Sequence, residues 1–187
     1  MKYYNQIMNK YEKSLEYMLN KHSKVMQIRF DMHYPNDNSI KPDKKHIYQF
    51  NTNLSRYFNR QKINGSHKID LKKVWVEEKR NSQNPHYHYV ALINGNAKRS
   101  MYSILSKAED IWKRIINHEL TGLINYCDKT YDGSKQDNGI IMDRNKQNYQ
   151  NNIDKCKKQA LYLAKKDSKD KKPRGAWMVG SSRINND

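Results

Sequence analysis

The segment KVWVEEK (73–79), the polar connection RNSQNP and the segment HYHYVALI (86–93) constrain the fold of this chain most. Both apolar runs are rich in β-branched and aromatic residues, and both alternate with a period of two, as half-buried strands do. A short polar connection between two such runs predicts an antiparallel hairpin. Alternation puts Val74, Val76 and Glu78 on one face of the first strand. It puts His86, His88, Val90 and Leu92 on one face of the second. If Glu78 pairs near His86, these two faces coincide. Glu77 points to the opposite face with Trp75, Tyr87 and Tyr89. Alternation therefore favours Glu78 over Glu77 beside the histidines, unless a bulge shifts the register.

The remaining periodicities build outward from this hairpin. VMQIRFDMHY (25–34) reads as a strand, with Val25, Gln27, Arg29 and Asp31 opposed to Met26, Ile28, Phe30 and Met32. Which of its faces is packed is open at this stage. Residues 43–60 carry Ile47, Phe50, Leu54 and Tyr57 at helical spacing. Residues 100–118 form an amphipathic helix, GLINYC (122–127) a fourth strand, and 152–167 a last helix. Residues 131–150 read as a loop or short hairpin, and the tail KKPRGAWMVGSSRINND as irregular and basic. The order β-α-β-β-α-β predicts an α+β fold, a ferredoxin-like or RRM-like antiparallel sheet, with an additional C-terminal helix. Helices are expected on one face of the sheet, leaving the other free for a site. Residues 1–22 are expected to be an N-terminal helical extension, and 23–187 the domain proper.

Charge bears on the partner. Lys and Arg number 36 against 19 acids, a net of +17, which favours a polyanion, nucleic acid first. The 14 tyrosines add faces on which bases can stack. No segment approaches the ~20 apolar residues of a membrane span, and no basic helix with a bulky apolar face suggests membrane binding. The N-terminus lacks the apolar stretch of a signal peptide. Cys127 and Cys156 make no metal or redox spacing. A reduced, cytoplasmic protein is expected.

The chemistry-bearing residues follow from the hairpin. Alone, His-x-His reads as two solvated histidines. The correctly phased Glu78 and the charge of the chain favour a metal centre of Glu78, His86 and His88. Two imidazoles and a carboxylate leave open positions on a divalent ion, as catalysis requires. The oxygen ligand and a phosphate-rich substrate suggest Mg²⁺ or Mn²⁺. On the last helix, Lys158, Lys165, Lys166 and Lys169 share a side with Tyr162. A tyrosine among lysines can attack a phosphodiester as a phenolate, with Lys165 best placed to stabilise it. YCDK repeats the Tyr-x-x-Lys spacing at Tyr126 and Lys129. Tyr162 is preferred because a nucleophile on a rigid helix is better positioned.

These residues also form a family pattern. PHYHYVAL resembles the His-hydrophobic-His motif of HUH endonucleases, Glu78 the third ligand of single-tyrosine replication initiators, and YLAKK their Tyr-x-x-Lys motif. IRFDMHYP resembles their first, strand-borne motif. More narrowly, RFDMHYP, VWVEEKR followed by PHYHYVALING, IWKRII, YLAKK and RGAWMVGSS are similar, in this order, to the inovirus replication-protein or YagK/YfjJ-like family. The resemblance covers roughly residues 25–182. It implies a nicking-joining enzyme for single-stranded or origin DNA, with Glu78, His86 and His88 holding the metal. Tyr162 would keep the 5′ end as a phosphotyrosine, and the freed 3′ hydroxyl would prime rolling-circle replication. No Gly-x-x-x-x-Gly-Lys-Ser/Thr stretch occurs, so unwinding would require a separate helicase. Two other readings stand beside it. One is a non-catalytic nucleic-acid-binding module. The other is the same chemistry in a relaxase or transposase.

Overall fold

The computed structural model describes residues 5–63, 67–78, 84–98, 100–165 and 179–184. The elements are α1 (Asn5–Lys21), β1 (Lys24–Met32), α2 (Lys44–Arg60), β2 (Lys62–Ile63), β3 (His67–Lys68), β4 (Lys72–Glu78) and β5 (His86–Asn94). They continue with α3 (Met101–Ile116), β6 (Ile124–Asn125), β7 (Ile140–Asp143), α4 (Tyr149–Ala160) and β8 (Val179–Ser181). The main sheet runs β6-β1-β5-β4-β8, with β7 also on β1, and every pairing is antiparallel. This is an α+β fold, and the order is compatible with a ferredoxin-like arrangement. Short β2 and β3 pair separately.

The two faces of β1 sort the core. Met26, Ile28, Phe30 and Met32 join Tyr87, Tyr89, Ala91 and Ile93 on one side. There they meet Ile47, Phe50, Leu54 and Phe58 of α2 and Ile104, Leu105, Ala108 and Trp112 of α3. The expected α2 and α3 thus form at nearly the expected residues. Asp43 caps α2, its Oδ1 accepting from the Lys45 N–H at 2.8 Å.

The opposite face is not free, contrary to the sequence expectation. Val25, Val74, Val76, Val90 and Leu92 are covered there by Ile7, Tyr11, Leu15 and Met18 of α1. Ile153, Cys156 and Ala160 of α4, then Leu163 and Ala164, complete this second core. The helix expected as an extension thus supplies one wall of a core. Fully buried Gln27 pins both helices to β1. It accepts from the Tyr11 hydroxyl at 2.8 Å and donates to the Cys156 carbonyl at 2.9 Å. Each polar atom is thereby satisfied, as burial demands.

Three further corrections concern the sheet edges and the last helix. The expected fourth strand is only Ile124–Asn125, opposite the C-terminal end of β1. The rest of that edge is β7, from the region read as a loop or short hairpin, opposite Lys24–Gln27. Between the two, Asn138 replaces the missing ladder. Its Oδ1 accepts from the Arg29 N–H at 2.9 Å, and its Nδ2 donates to the Arg29 carbonyl at 2.7 Å. The tail contributes β8, where Gly180 lies against Trp75 of β4. Residues 166–178, including the tail cations Lys172 and Arg174, lie outside the described residues. Finally, α4 ends at Ala160, and the chain continues through i→i+3 turns: Leu163 N–H to the Ala160 carbonyl and Ala164 N–H to the Leu161 carbonyl. Tyr162 therefore sits in a tight turn after the helix, not on the helix. Among the described residues, no helix is long and apolar enough to cross a membrane.

Candidate metal centre and its tyrosine

Strand register assembles the site. Glu78 pairs with His86, Val76 with His88, and Asp31 with His88 across β5. These side chains rise together at the end of the sheet left open by the valines and leucine of the second core. Glu78, His86 and His88 offer one ligand atom each, and the three atoms lie within 4.8 Å of one another. His88 Nε2 is 2.8 Å from Glu78 Oε2, and His86 Nε2 is 3.9 Å from the same oxygen. Glu77, the alternative ligand, lies on the other face of β4 and does not join them.

The donor set fits a divalent cation. Two imidazoles and a carboxylate are held on rigid strands, and His86 keeps partial exposure at the mouth. His88 Nδ1 is 2.7 Å from Asp31 Oδ1. A carboxylate on the far nitrogen of a ligand histidine fixes its tautomer and turns Nε2 towards the metal. Without a cation the same geometry is a buried charge cluster. Burial opposes the charge on His88, but hydrogen bonds and charge from Asp31 and Glu78 outweigh it and raise its pKa. Asp31 responds in the opposite sense. Burial raises its pKa, but His88, then Arg29 and His33, bring it below the ordinary value. Burial, then His88 and His33, push His86 down.

Tyr162 stands beside this cluster. Its ring meets His88 edge-on, with centroids 5.2 Å apart. The Arg29 guanidinium lies over its face at 3.8 Å, and Lys165 Nζ is 5.0 Å from the same centroid. Burial raises the Tyr162 pKa, as does the charge of Asp31, while Arg29 opposes them. The phenol is therefore held protonated until something compensates its charge. Tyr126, the other Tyr-x-x-Lys tyrosine, packs against the α2/α3 core and Tyr102 on the far side of the sheet.

Sequence reasoning left Arg29, Asp31 and His33 unassigned. All three alternate onto the site face of β1 and its extension. Arg29 Nε is buried and has no hydrogen-bond partner among the described residues. Its Nη2 reaches Asp31 at 3.5 Å. His33 stacks on His86 at 5.3 Å. Two charged residues inside an otherwise buried strand were the available signal.

Openings flank the centre. On the His86 side, a cavity of about 250 Å³ is lined by His33, Tyr34, Asn36, Asn38, Asn84 and His86. On the Tyr162 side, a groove of about 580 Å³ is lined by Arg29, Lys155, Lys158, Tyr162 and Lys165, with Asp137 as its acid.

A family model for the YagK/YfjJ C-terminal domain matches residues 2–177. The chain belongs to the YagK/YfjJ C-terminal domain family. No curated protein and no solved structure matches it. The family match begins just before α1 and runs through the candidate metal ligands and Tyr162. In this YagK/YfjJ domain, α1 and the centre are thus parts of one matched unit.

Proposed function

We propose that this YagK/YfjJ domain is a metal-dependent DNA nicking-joining endonuclease of the HUH type. It cuts one strand of an origin and starts rolling-circle replication of a phage, plasmid or other mobile element. The observation that carries this reading is the packing of Tyr162 against His88 beneath Arg29. The proposed nucleophile then touches both a candidate metal ligand and a fixed cation. Asp31 orients the ligand behind them.

Glu78, His86 and His88 would hold the divalent ion, Mg²⁺ or Mn²⁺, which when bound polarises a phosphate oxygen. The residues of the chain do the rest. The Tyr162 oxygen attacks phosphorus, the phosphorus–O3′ bond breaks, and a phosphotyrosine bond replaces it. The phenol loses its proton and O3′ takes one up, so bond count and charge balance. Arg29 and Lys165 offset the negative charge that develops on the phenol and phosphate oxygens. The reverse attack by a 3′ hydroxyl rejoins the strand without an external energy source. Unwinding falls to a separate helicase. A relaxase or transposase would use the same steps in another setting.

A second reading has its own support. The Asp31–His88–Glu78 chain is satisfied internally, as a structural ion cluster in a non-catalytic binding module would be. One experiment separates the two. Wild type, Tyr162→Phe and Tyr126→Phe are incubated with a labelled single-stranded origin library, with Mn²⁺ or chelator. A denaturant-resistant adduct that needs metal and vanishes only in Tyr162→Phe supports the nickase. An adduct surviving in Tyr162→Phe overturns the assignment of the nucleophile. Binding that is indifferent to chelator, without any adduct, supports the binding module.

A further inference from the structure

A second basic surface lies on the other side of the sheet from Tyr162. The outer sides of α2 and α3 enclose a groove of about 920 Å³. Arg56 and Arg60 line it from α2, and Lys107 and Arg114 from α3. No carboxylate is among its lining residues. The sequence explains this on the α2 side, because Lys44–Arg60 contains no Asp or Glu at all. On α3, Glu109 is turned away to accept the backbone N–H groups of Gly122 and Leu123. Asp110 is 3.7 Å from Lys107 and half exposed. Arg56, Arg60 and Arg114 form no ion pair with a described residue. Unpaired arginines on two packed helices, with amides such as Gln49 and Asn53 between them, present donors suited to phosphate oxygens.

The groove also discriminates among polyanions. Proteins that grip single strands supply several rings on which bases stack. Here one ring, Tyr57, is available, and Lys107 already lies over it at 4.7 Å. An anionic membrane would be met by exposed bulky apolar groups beside the cations. Instead, Ile111 is buried in the floor. Backbone contact without stacking or insertion fits a duplex.

We propose that the α2–α3 groove is a second nucleic-acid site, which holds the phosphate backbone of a duplex independently of the metal centre. A duplex seated there lies across the sheet from Tyr162. The two faces therefore hold separate segments of nucleic acid. This reading does not depend on the nicking chemistry.

The test is fluorescence anisotropy with a labelled, short, random-sequence duplex in chelator, over a range of salt. If all four cations contact phosphate, the salt slope they contribute is about −3.6, and affinity falls roughly 150-fold between about 50 and 200 mM salt. Arg56→Ala with Arg114→Ala should make the slope shallower by about 1.8 and reduce that fall to roughly 12-fold. Arg56→Lys with Arg114→Lys keeps the charge and should keep most of the slope, which separates phosphate contact from misfolding. An unchanged slope in the alanine pair overturns the proposal. So does an equal slope loss from Lys155→Ala with Lys158→Ala, on the tyrosine side. Single strands or anionic vesicles that displace the duplex from wild type, and bind the alanine pair as weakly as the duplex does, would reassign the groove to them.

Discussion

The contact between Asp31 and His88 yields the sharpest quantitative expectation about the centre. Asp31→Ala removes the acceptor 2.7 Å from His88 Nδ1 in a site where the His88 side chain is 4% exposed. Little water can replace that carboxylate. The ring is then free to turn, and its Nε2 loses basicity towards a cation. A hydrogen bond to a charged group contributes about 1.5–3 kcal/mol, which corresponds to roughly 10–150-fold in a binding constant. Loss of such an outer carboxylate typically costs about 10–100-fold in metal affinity. Asp31→Ala should therefore weaken Mn²⁺ binding by about 10–100-fold. Asp31→Asn keeps an acceptor oxygen for the Nδ1–H and loses only the charge, so its loss should be smaller. Calorimetric titration of apo protein with Mn²⁺ measures both, with circular dichroism to establish that each variant is folded. The reasoning fails if folded Asp31→Ala binds Mn²⁺ within a factor of two of wild type. It fails more deeply if wild type takes up no Mn²⁺ at all, because then Glu78, His86 and His88 are not a metal centre.

Three further expectations concern the scaffold. Burial, aided by Lys72, lowers Lys73 to about 8; its side chain reaches Ser55. A folded value below the unfolded one means that the unfolded chain holds the proton more tightly. The cost is full below pH 8 and fades as pH rises towards the ordinary lysine value. That cost is about 3 kcal/mol at neutral pH, so Lys73→Met should stabilise by about 2 kcal/mol after loss of the Ser55 contact. Urea midpoints at neutral and alkaline pH test this, and a variant less stable than wild type at neutral pH would contradict it. Gly180→Ala would drive a Cβ into the Trp75 indole. It should cost about 1–3 kcal/mol by forcing β8 off β4, measurable as a lower melting temperature. Burial pushes the thiols of Cys127 and Cys156 up to about 12. Both should resist a thiol reagent in the native state and react on unfolding, and rapid labelling of native protein would refute their burial.

Much of the sheet was legible because its strands are long and alternate cleanly. β1, β4 and β5 lie within a residue or two of their expected bounds, and Glu78 does face His86. The edges were not legible. β6 and β7 are two and four residues long, too short for a period of two to declare itself. Their continuity depends on Asn138, a side chain standing in for a peptide group. β8 owes its place to Gly180 fitting beneath Trp75, a fit between surfaces that no single-strand pattern contains. The second core was missed for a related reason. Residues 1–22 were legible as a helix, but a helix alone does not say which face of which sheet it covers.

The candidate centre divides along the same line. Its three candidate ligands follow from alternation plus the Glu78–His86 pairing, since residues two apart on a strand share a face. Asp31 and Arg29 also alternate onto that face, yet their roles depend on the β1–β5 register, which sets Asp31 opposite His88. Tyr162 is the opposite case: the residue was chosen for rigidity on a helix that ends before reaching it. Its turn is held instead by Leu163 and Ala164, both buried in the second core. That is a tighter anchor than the exposed last turn of a helix. The i→i+3 turn aims the Tyr162 ring at His88 while its neighbours pack inward. A helix continued through 165 would rotate successive side chains by about 100° and set Tyr162 by its period, not by the core beneath it. The same two anchors explain why Arg29 came to lie over the ring ahead of Lys165. Arg29 rises from the strand below the turn, at a fixed height above the sheet, whereas Lys165 belongs to the turn itself.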